Sequence, residues 1–263
     1  MHITTMDQAF SLSGRTAIVT GGNRGIGLGI STALAHHGAN VAILCRDEAS
    51  ANEVVTDFSG KYKGRFKFFR CDVTDNEECK TAVAGVIAEF GSVDILVNNS
   101  GAGFGGDILD MDEDLSAWYN CFDLILHGHV RMCYLVGKHM RETGKGGRVI
   151  NITSNAGAIV NKPFPLTPYS CAKAALNQLT KCLAHEWAKY GIRVNAIAPG
   201  YTHSNMSKNM NEQTTKVLLD KIPVGRFGEA IEIGALAVFL SSPGSAHITG
   251  EVITIDGGYS LQA

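Results

Sequence analysis

Thr16-Ala17-Ile18-Val19-Thr20-Gly21-Gly22-Asn23-Arg24-Gly25-Ile26-Gly27 is the stretch that decides the architecture. A β-branched run enters a glycine-rich turn, and an apolar periodic segment follows at once. Gly21 allows the tight turn, Gly25 lets the backbone approach a pyrophosphate, and Gly27 permits close helix packing. The N–H groups at the helix start then face the anion. A glycine triplet alone also occurs in loops that bind nothing. Its place after the first strand and before a helix is the context that marks a nucleotide turn. Gly21, Asn23, Arg24, Gly25, Ile26 and Gly27 are the first candidate cofactor-binding residues.

Working outward, short apolar runs alternate with longer helical patterns. Thr16–Thr20, Asn40–Cys45, Phe66–Cys71, Val93–Val97, Arg148–Ile152, Ile192–Ile197 and Val252–Ile255 read as strands. They are apolar nearly throughout, as strands buried on both faces should be. Ile26–His37, Glu48–Ser59, Asn76–Phe90, Leu115–Arg141, Tyr169–Tyr190 and Ala230–Leu240 read as helices. Such alternation predicts an α/β fold: one doubly wound Rossmann domain, its seven-stranded parallel sheet flanked by helices. No repeat or Pro/Gly-rich linker divides the chain, so residues 1–263 read as a single domain. The polar, Asn- and Met-rich segment 201–222 reads either as a lid over a ligand site or as a surface helix-loop.

Composition excludes several classes. Charged residues are 18% of the chain and the net charge is −2, so no pull toward nucleic acid or an anionic membrane is expected. The seven cysteines are odd in number and lack a C-x-x-C pair, which argues for reduced thiols rather than a disulfide framework or zinc site. The nine histidines show no H-E-x-x-H spacing, so no metal is expected. The first twelve residues lack the pattern of a signal peptide, and the apolar patch near Ile233–Leu240 is too short to span a bilayer. A soluble, cytoplasmic protein is the expectation.

The second strand ends Leu44-Cys45-Arg46-Asp47. An acidic residue there would hold a ribose 2′-hydroxyl and select NAD, whereas an Arg suits a 2′-phosphate. Arg46, with help from Arg24, favours NADP(H). The other reading leaves Arg46 in solvent and turns Asp47 to the ribose. Farther along, Tyr169-Ser170-Cys171-Ala172-Lys173 opens a helix, and its i,i+4 spacing puts phenol and ammonium on one face. A nearby cation lowers a phenol's pKa, which makes Tyr169 a candidate acid/base. Such a spacing is common on solvent-exposed helices. It gains weight by following a strand that ends Asn151-Ile152-Thr153-Ser154-Asn155, since ligands bind at strand carboxyl ends. Ser154 is placed there to polarise a carbonyl.

With these residues in order, the chain resembles the short-chain dehydrogenase/reductase family over nearly its whole length. The motifs are Thr20-Gly21-x-x-x-Gly25-x-Gly27, Cys71-Asp72-Val73, Asn98-Asn99-Ser100-Gly101, Ser154, Tyr169-x-x-x-Lys173, Asn195-x-x-x-Pro199-Gly200 and Asp256-Gly257-Gly258. The resemblance implies that Tyr169 is the acid/base. It implies that Lys173 lowers the Tyr169 pKa and binds the nicotinamide ribose, and that Ser154 holds the carbonyl. It places Asp72 and Val73 at adenine, Asn99 and Gly101 along the cofactor groove, and Pro199, Gly200, Thr202 and Ser204 near the nicotinamide. A homotetramer built through the Tyr/Lys helix and its neighbour is also implied.

One departure stands out. Leu124-Ile125-Leu126-His127-Gly128 falls where the family usually reads V-N-L-x-G, so Ile125 replaces an Asn that usually holds a water against the Lys. Asn120 does not substitute for it, because five residues turn a helix by about 500°. His129 lies one turn after Ile125, on its face. Within the family the resemblance is to polyol dehydrogenases and ketose reductases, of the sorbose reductase and mannitol dehydrogenase kind. It rests on phrases such as Ala184-His185-Glu186-Trp187-Ala188 and Ile222-Pro223-Val224-Gly225-Arg226-Phe227. A ketose or polyol substrate is thereby implied, and Asn155, Asn161, His203 and Asn205 would offer polar partners to its hydroxyls. Reduction of another ketone, such as a ketoacyl thioester, or nucleotide binding without turnover, are the competing expectations.

Overall fold

The computed structural model describes residues 5–103, 105–162, 164–203 and 211–262. Seven parallel strands form one sheet: β1 Thr16–Thr20, β2 Asn40–Cys45, β3 Phe66–Arg70, β4 Ile95–Asn98, β5 Gly147–Ile152, β6 Ile192–Pro199 and β7 Val252–Ile255. Their spatial order is β3-β2-β1-β4-β5-β6-β7. The chain winds outward in one direction from β1 and in the other from β4. The seam between β1 and β4 is therefore the point where strand order reverses, and a crevice opens beyond the strands' carboxyl ends there. Thr20 pairs with Leu44, and Val19 with Val97, so the ends of β1, β2 and β4 come level.

Helices cover both faces. The helices are α1 Met6–Phe10, α2 Gly25–His36, α3 Glu48–Lys61, α4 Asn76–Phe90, α5 Ser116–Phe122, α6 Gly128–Thr143, α7 Thr167–Trp187, α8 Glu212–Leu219 and α9 Ala230–Ser241. On one face Ile30 and Leu34 of α2, Phe58 of α3 and Ile233 and Ala237 of α9 pack on Val19, Ile43, Val97 and Ile150. On the other, Val83 of α4, Met132 and Val136 of α6 and Ala184 of α7 pack on Ile18, Leu44, Leu96 and Val149. Central strands are thus buried on both sides, which is why they read as unbroken apolar runs. The edges differ: β3 and β7 keep partly exposed residues, a correction to the expectation that all seven strands are fully covered.

The segment expected as one helix from Leu115 to Arg141 is three pieces. Asp123–His127 is a π-helical turn between α5 and α6. It offsets the faces of the two helices, so Ile125 faces the short α7 segment around Ala172 and Leu176 while Met132 and Val136 face the sheet. Within the 201–222 segment, Leu218 of α8 and Ile222 just after it pack on Phe227 and Tyr259. Among the described residues no helix is long and apolar enough to cross a membrane, and no cluster of His, Cys, Asp or Glu could hold a metal.

Candidate active site

The glycine turn sits at the seam. Gly21 and Gly25 have φ of +64° and +53°, a left-handed backbone that a side chain would strain. A Cβ on Gly27 would collide with the Gly21 carbonyl and with Asn99, so α2 approaches the turn only because residue 27 is glycine. Arg24 caps α2 through its backbone, without a side-chain hydrogen bond. The first N–H groups of α2 therefore keep their capacity for an anion. Asn99 closes the turn from β4: its Nδ2 donates to the Thr20 carbonyl at 3.0 Å, and its backbone N–H donates to Thr20 Oγ1 at 2.9 Å.

Beside it, Asp47 caps α3, its carboxylate accepting from Ser50 N–H at 3.2 Å. Those bonds hold its carboxyl below the usual range. The Ser50 hydroxyl in turn accepts from Asn23 Nδ2 at 2.7 Å, which ties the turn to α3. Arg46 is largely exposed and reaches Asp72 Oδ2 at 3.3 Å. Burial pushes the Asp72 carboxyl up, but hydrogen bonds from Thr74 and the Arg46 guanidinium outweigh it and hold the group low. Val73 turns its side chain into the core, and its carbonyl accepts from Arg131 Nη1 at 3.1 Å.

Ser154, Tyr169 and Lys173 converge at the ends of β5 and α7. Pro168 sits in the first turn of α7, where its missing N–H costs nothing, and so places Tyr169 near the positive end of the helix. The Ser154 hydroxyl lies close enough to Tyr169 to favour its phenolate. Lys173, only 4% exposed, donates from Nζ to the Ile152 carbonyl at 2.8 Å, and its ammonium lies 5.6 Å from the Tyr169 ring centre. Burial pulls its pKa down to about 8, opposed weakly by Cys121. Without other molecules, burial also pushes the Tyr169 phenol up, and the Ser154 hydroxyl offsets only part of that.

Asn155 is also corrected. It is 2% exposed, donates to Asp256 Oδ2 at 3.3 Å and accepts from Asn161 Nδ2 at 3.3 Å. Both ends of its amide are committed inside the protein, behind Ser154. Asn161 is buried with it. Asp256 anchors this chain, accepting also from Gly258 N–H at 3.0 Å and from Ser260. The Asp256-Gly257-Gly258 motif therefore steadies the Ser154 turn from 101 residues away, a role its motif signalled without stating. A second buried chain was missed: Asn98 Nδ2 donates to Asn151 Oδ1 at 3.0 Å, and Asn151 Nδ2 to Thr180 Oγ1 at 2.9 Å, locking β4, β5 and α7 together.

Gly101 lies within reach of Lys173 Nζ. Pro199 and Gly200 end β6, Thr202 Oγ1 donates back to the Gly200 carbonyl at 3.1 Å, and exposed His203 stands against Phe227 near Glu229. Ser204 and Asn205 lie outside the described residues.

Residues 21–260 match the family described as enoyl-(acyl carrier protein) reductase. The chain is 37% identical over 254 residues to galactitol 2-dehydrogenase (L-tagatose-forming) of Cereibacter sphaeroides, covering 96% of this chain and 97% of that protein. It is 34% identical to the NADP-dependent mannitol dehydrogenase of Alternaria alternata, covering 98% of this chain and 97% of that one. Among solved structures, the NADPH-dependent 3-quinuclidinone reductase from Rhodotorula rubra superposes with a TM-score of 0.93 at 30% identity, covering 99% of this chain and 97% of that chain. A seven-stranded sheet with a glycine turn at its seam, a Ser–Tyr–Lys cluster beside it and relatives named dehydrogenases and reductases identify the chain as a member of the short-chain dehydrogenase/reductase family, an oxidoreductase acting on CH–OH and C=O groups.

Proposed function

We propose that this chain reduces a ketose to a polyol with NADPH, reversibly, using Tyr169 as acid/base. The observation that carries the reading is the convergence of Ser154 and Tyr169 with the Lys173 ammonium 5.6 Å from the Tyr169 ring centre. NADPH bound at the seam supplies the hydride. The Ser154 hydroxyl donates to the carbonyl oxygen and polarises it, and Tyr169 delivers the proton to that oxygen as negative charge develops. Lys173 holds a positive charge below the phenol and a donor for the nicotinamide ribose. Its charge makes the phenolate easier to form, the effect that burial alone works against.

The residues fit such a cofactor. Uncapped N–H groups of α2 suit the pyrophosphate, with Gly21, Asn23, Arg24, Gly25, Ile26 and Gly27 forming the cradle. Asp72 and the main chain of Val73 take the adenine, Asn99 and Gly101 line the groove, and Pro199, Gly200, Thr202 and Ser204 take the nicotinamide end. NADPH rather than NADH is favoured because Asp47, the acid that would hold a free 2′-hydroxyl, is engaged as a helix cap. Arg46 would leave Asp72 for a 2′-phosphate, a bidentate acceptor of full charge. The Arg46→Ala variant checks this: the KM for NADPH should rise at least tenfold while that for NADH stays within about twofold, a phosphate contact being worth on the order of 1.5–3 kcal/mol. Equal kinetics with both cofactors in the unsubstituted protein would overturn the assignment.

A ketose is favoured by the mannitol and galactitol relatives and by exposed His203, which follows the Pro199 end of β6. A lid role for the 201–222 segment belongs to the same reading; of its described part, Leu218 and Ile222 pack on Phe227 and Tyr259. A second reading, reduction of a ketoacyl thioester, is favoured by a 36% identical relative named 3-oxoacyl-[acyl-carrier-protein] reductase.

A further inference from the structure

Lys173 needs a partner on its inner side. Its Nζ gives one proton to the Ile152 carbonyl at 2.8 Å, and an ammonium has three to place. Ile125, fully buried against Cys121, Ala172 and Leu176, offers no polar atom. His129 of α6, one helical turn beyond Ile125, brings a polar side chain to this region. It is 1% exposed, and it is hydrogen-bonded to the Asn98 carbonyl at the end of β4. Its Nε2 is buried without a partner. Since Nε2 is free, the bond to Asn98 is made by Nδ1–H, which fixes the neutral tautomer with a lone pair on Nε2. An orphaned buried acceptor costs on the order of 1–3 kcal/mol and is retained for a reason. The Lys173 ammonium is close enough to resist protonation of the ring, and burial acts the same way, holding its pKa to about 3.

We propose that His129 is a positioning residue for Lys173: its neutral Nε2 accepts a hydrogen bond from the ammonium through one water, and so keeps Lys173 charged under Tyr169. It does not relay protons itself, because Nδ1–H is bonded to a carbonyl that cannot take a proton. The groups that face Lys173 are Tyr169 on its own helix, Cys121 from α5 and the Ile152 carbonyl from β5. His129 is faced by Lys173 and the Asn98 carbonyl, with the Cys133 thiol held by the Asn98 amide one helical turn on. Among these, Lys173 is the one cation. The inference rests on the proposed catalytic role of Lys173, but its test does not depend on turnover.

Lys173 is titrated by NMR of lysine labelled with 13C at the ε position, its signal assigned by loss in the Lys173→Met variant. In His129→Phe, which keeps a planar ring and removes the acceptor, the midpoint should fall by about one pH unit, as expected for a lost hydrogen bond to a charged group. His129→Gln, which keeps an acceptor, should restore at least half of that shift. In the unsubstituted protein, imidazole 15N shifts should show His129 neutral at pH 5 with the proton on Nδ1. An unchanged Lys173 midpoint in His129→Phe overturns the proposal. So does a His129 ring that is protonated at pH 5 or carries its proton on Nε2, and this reading needs no variant to fold. Absence of carbonyl turnover with these NMR results intact would instead count against the proposed function alone.

Discussion

Lys173 sits where an ammonium is least welcome, and its stability signature follows. Burial lowers its pKa from 10.5 in the unfolded chain to about 8. Between those values the unfolded state binds a proton that the folded state lacks, so this group makes stability rise with pH across that window. Below about pH 8 the folded chain carries the full penalty. Lys173→Met removes it, so the stability of the variant relative to the unsubstituted protein should decline by roughly 3 kcal/mol from pH 8 to 10.5. Chemical denaturation at several pH values measures this, and a difference independent of pH would show that Lys173 is not held low by burial. At this scale the sequence was informative where chemistry sets spacing: Tyr169, Lys173 and Ser154 stand out by order and i,i+4 geometry. Asn155 misled because a strand-end Asn looks ligand-facing until its partner, Asp256, is brought in by the fold. His129 could be placed on a face but not given a role, since its Asn98 partner comes from another strand.

Between α5 and α6 the helix holds its π turn although Ile125 stands at its centre. A one-residue slip of helical register does not disturb an apolar pattern enough to be read from it, so the segment looked continuous. The turn is supported by packing: Ile125 fills the space between Cys121 and Leu176. Ile125→Asn should therefore lose about 1–3 kcal/mol of stability by burying an amide among apolar side chains. Its kcat should not increase, because the inner side of Lys173 is already served by His129. Denaturation and steady-state rates check both halves, and a higher kcat would mean that Ile125 impairs the site. The glycine turn was legible for the opposite reason: strand, turn and helix are all local. Gly27→Ala should separate α2 from the Gly21 carbonyl, costing about 1–3 kcal/mol and weakening nucleotide binding at least tenfold. Unchanged binding by calorimetry would refute the close-approach argument.

For the whole molecule, strand–helix alternation set the sheet, and the observed order β3-β2-β1-β4-β5-β6-β7 follows from right-handed crossovers. Which strands lie at the edge is decided by long-range pairing, so the partial exposure of β3 and β7 was hidden in their apolar composition. Assembly is a proposal at this scale. Tyr119 of α5 and Val130 and Tyr134 of α6 expose large apolar side chains beside α7. A homotetramer that covers them is the expected form, and Tyr134→Lys should shift sedimentation toward smaller species, whereas an unchanged mass would place the interface elsewhere.

The account as a whole turns on Tyr169 delivering a proton to a carbonyl oxygen beside Ser154. NADPH consumption should be followed with a panel of ketoses and ketoacyl thioesters, for the unsubstituted protein and for Tyr169→Phe. The account predicts turnover with at least one ketose exceeding that with any thioester, and a fall in kcat of about 10²–10⁴ in the variant with NADPH affinity retained. Tight NADPH binding without turnover of any carbonyl, or full activity in Tyr169→Phe, would contradict it.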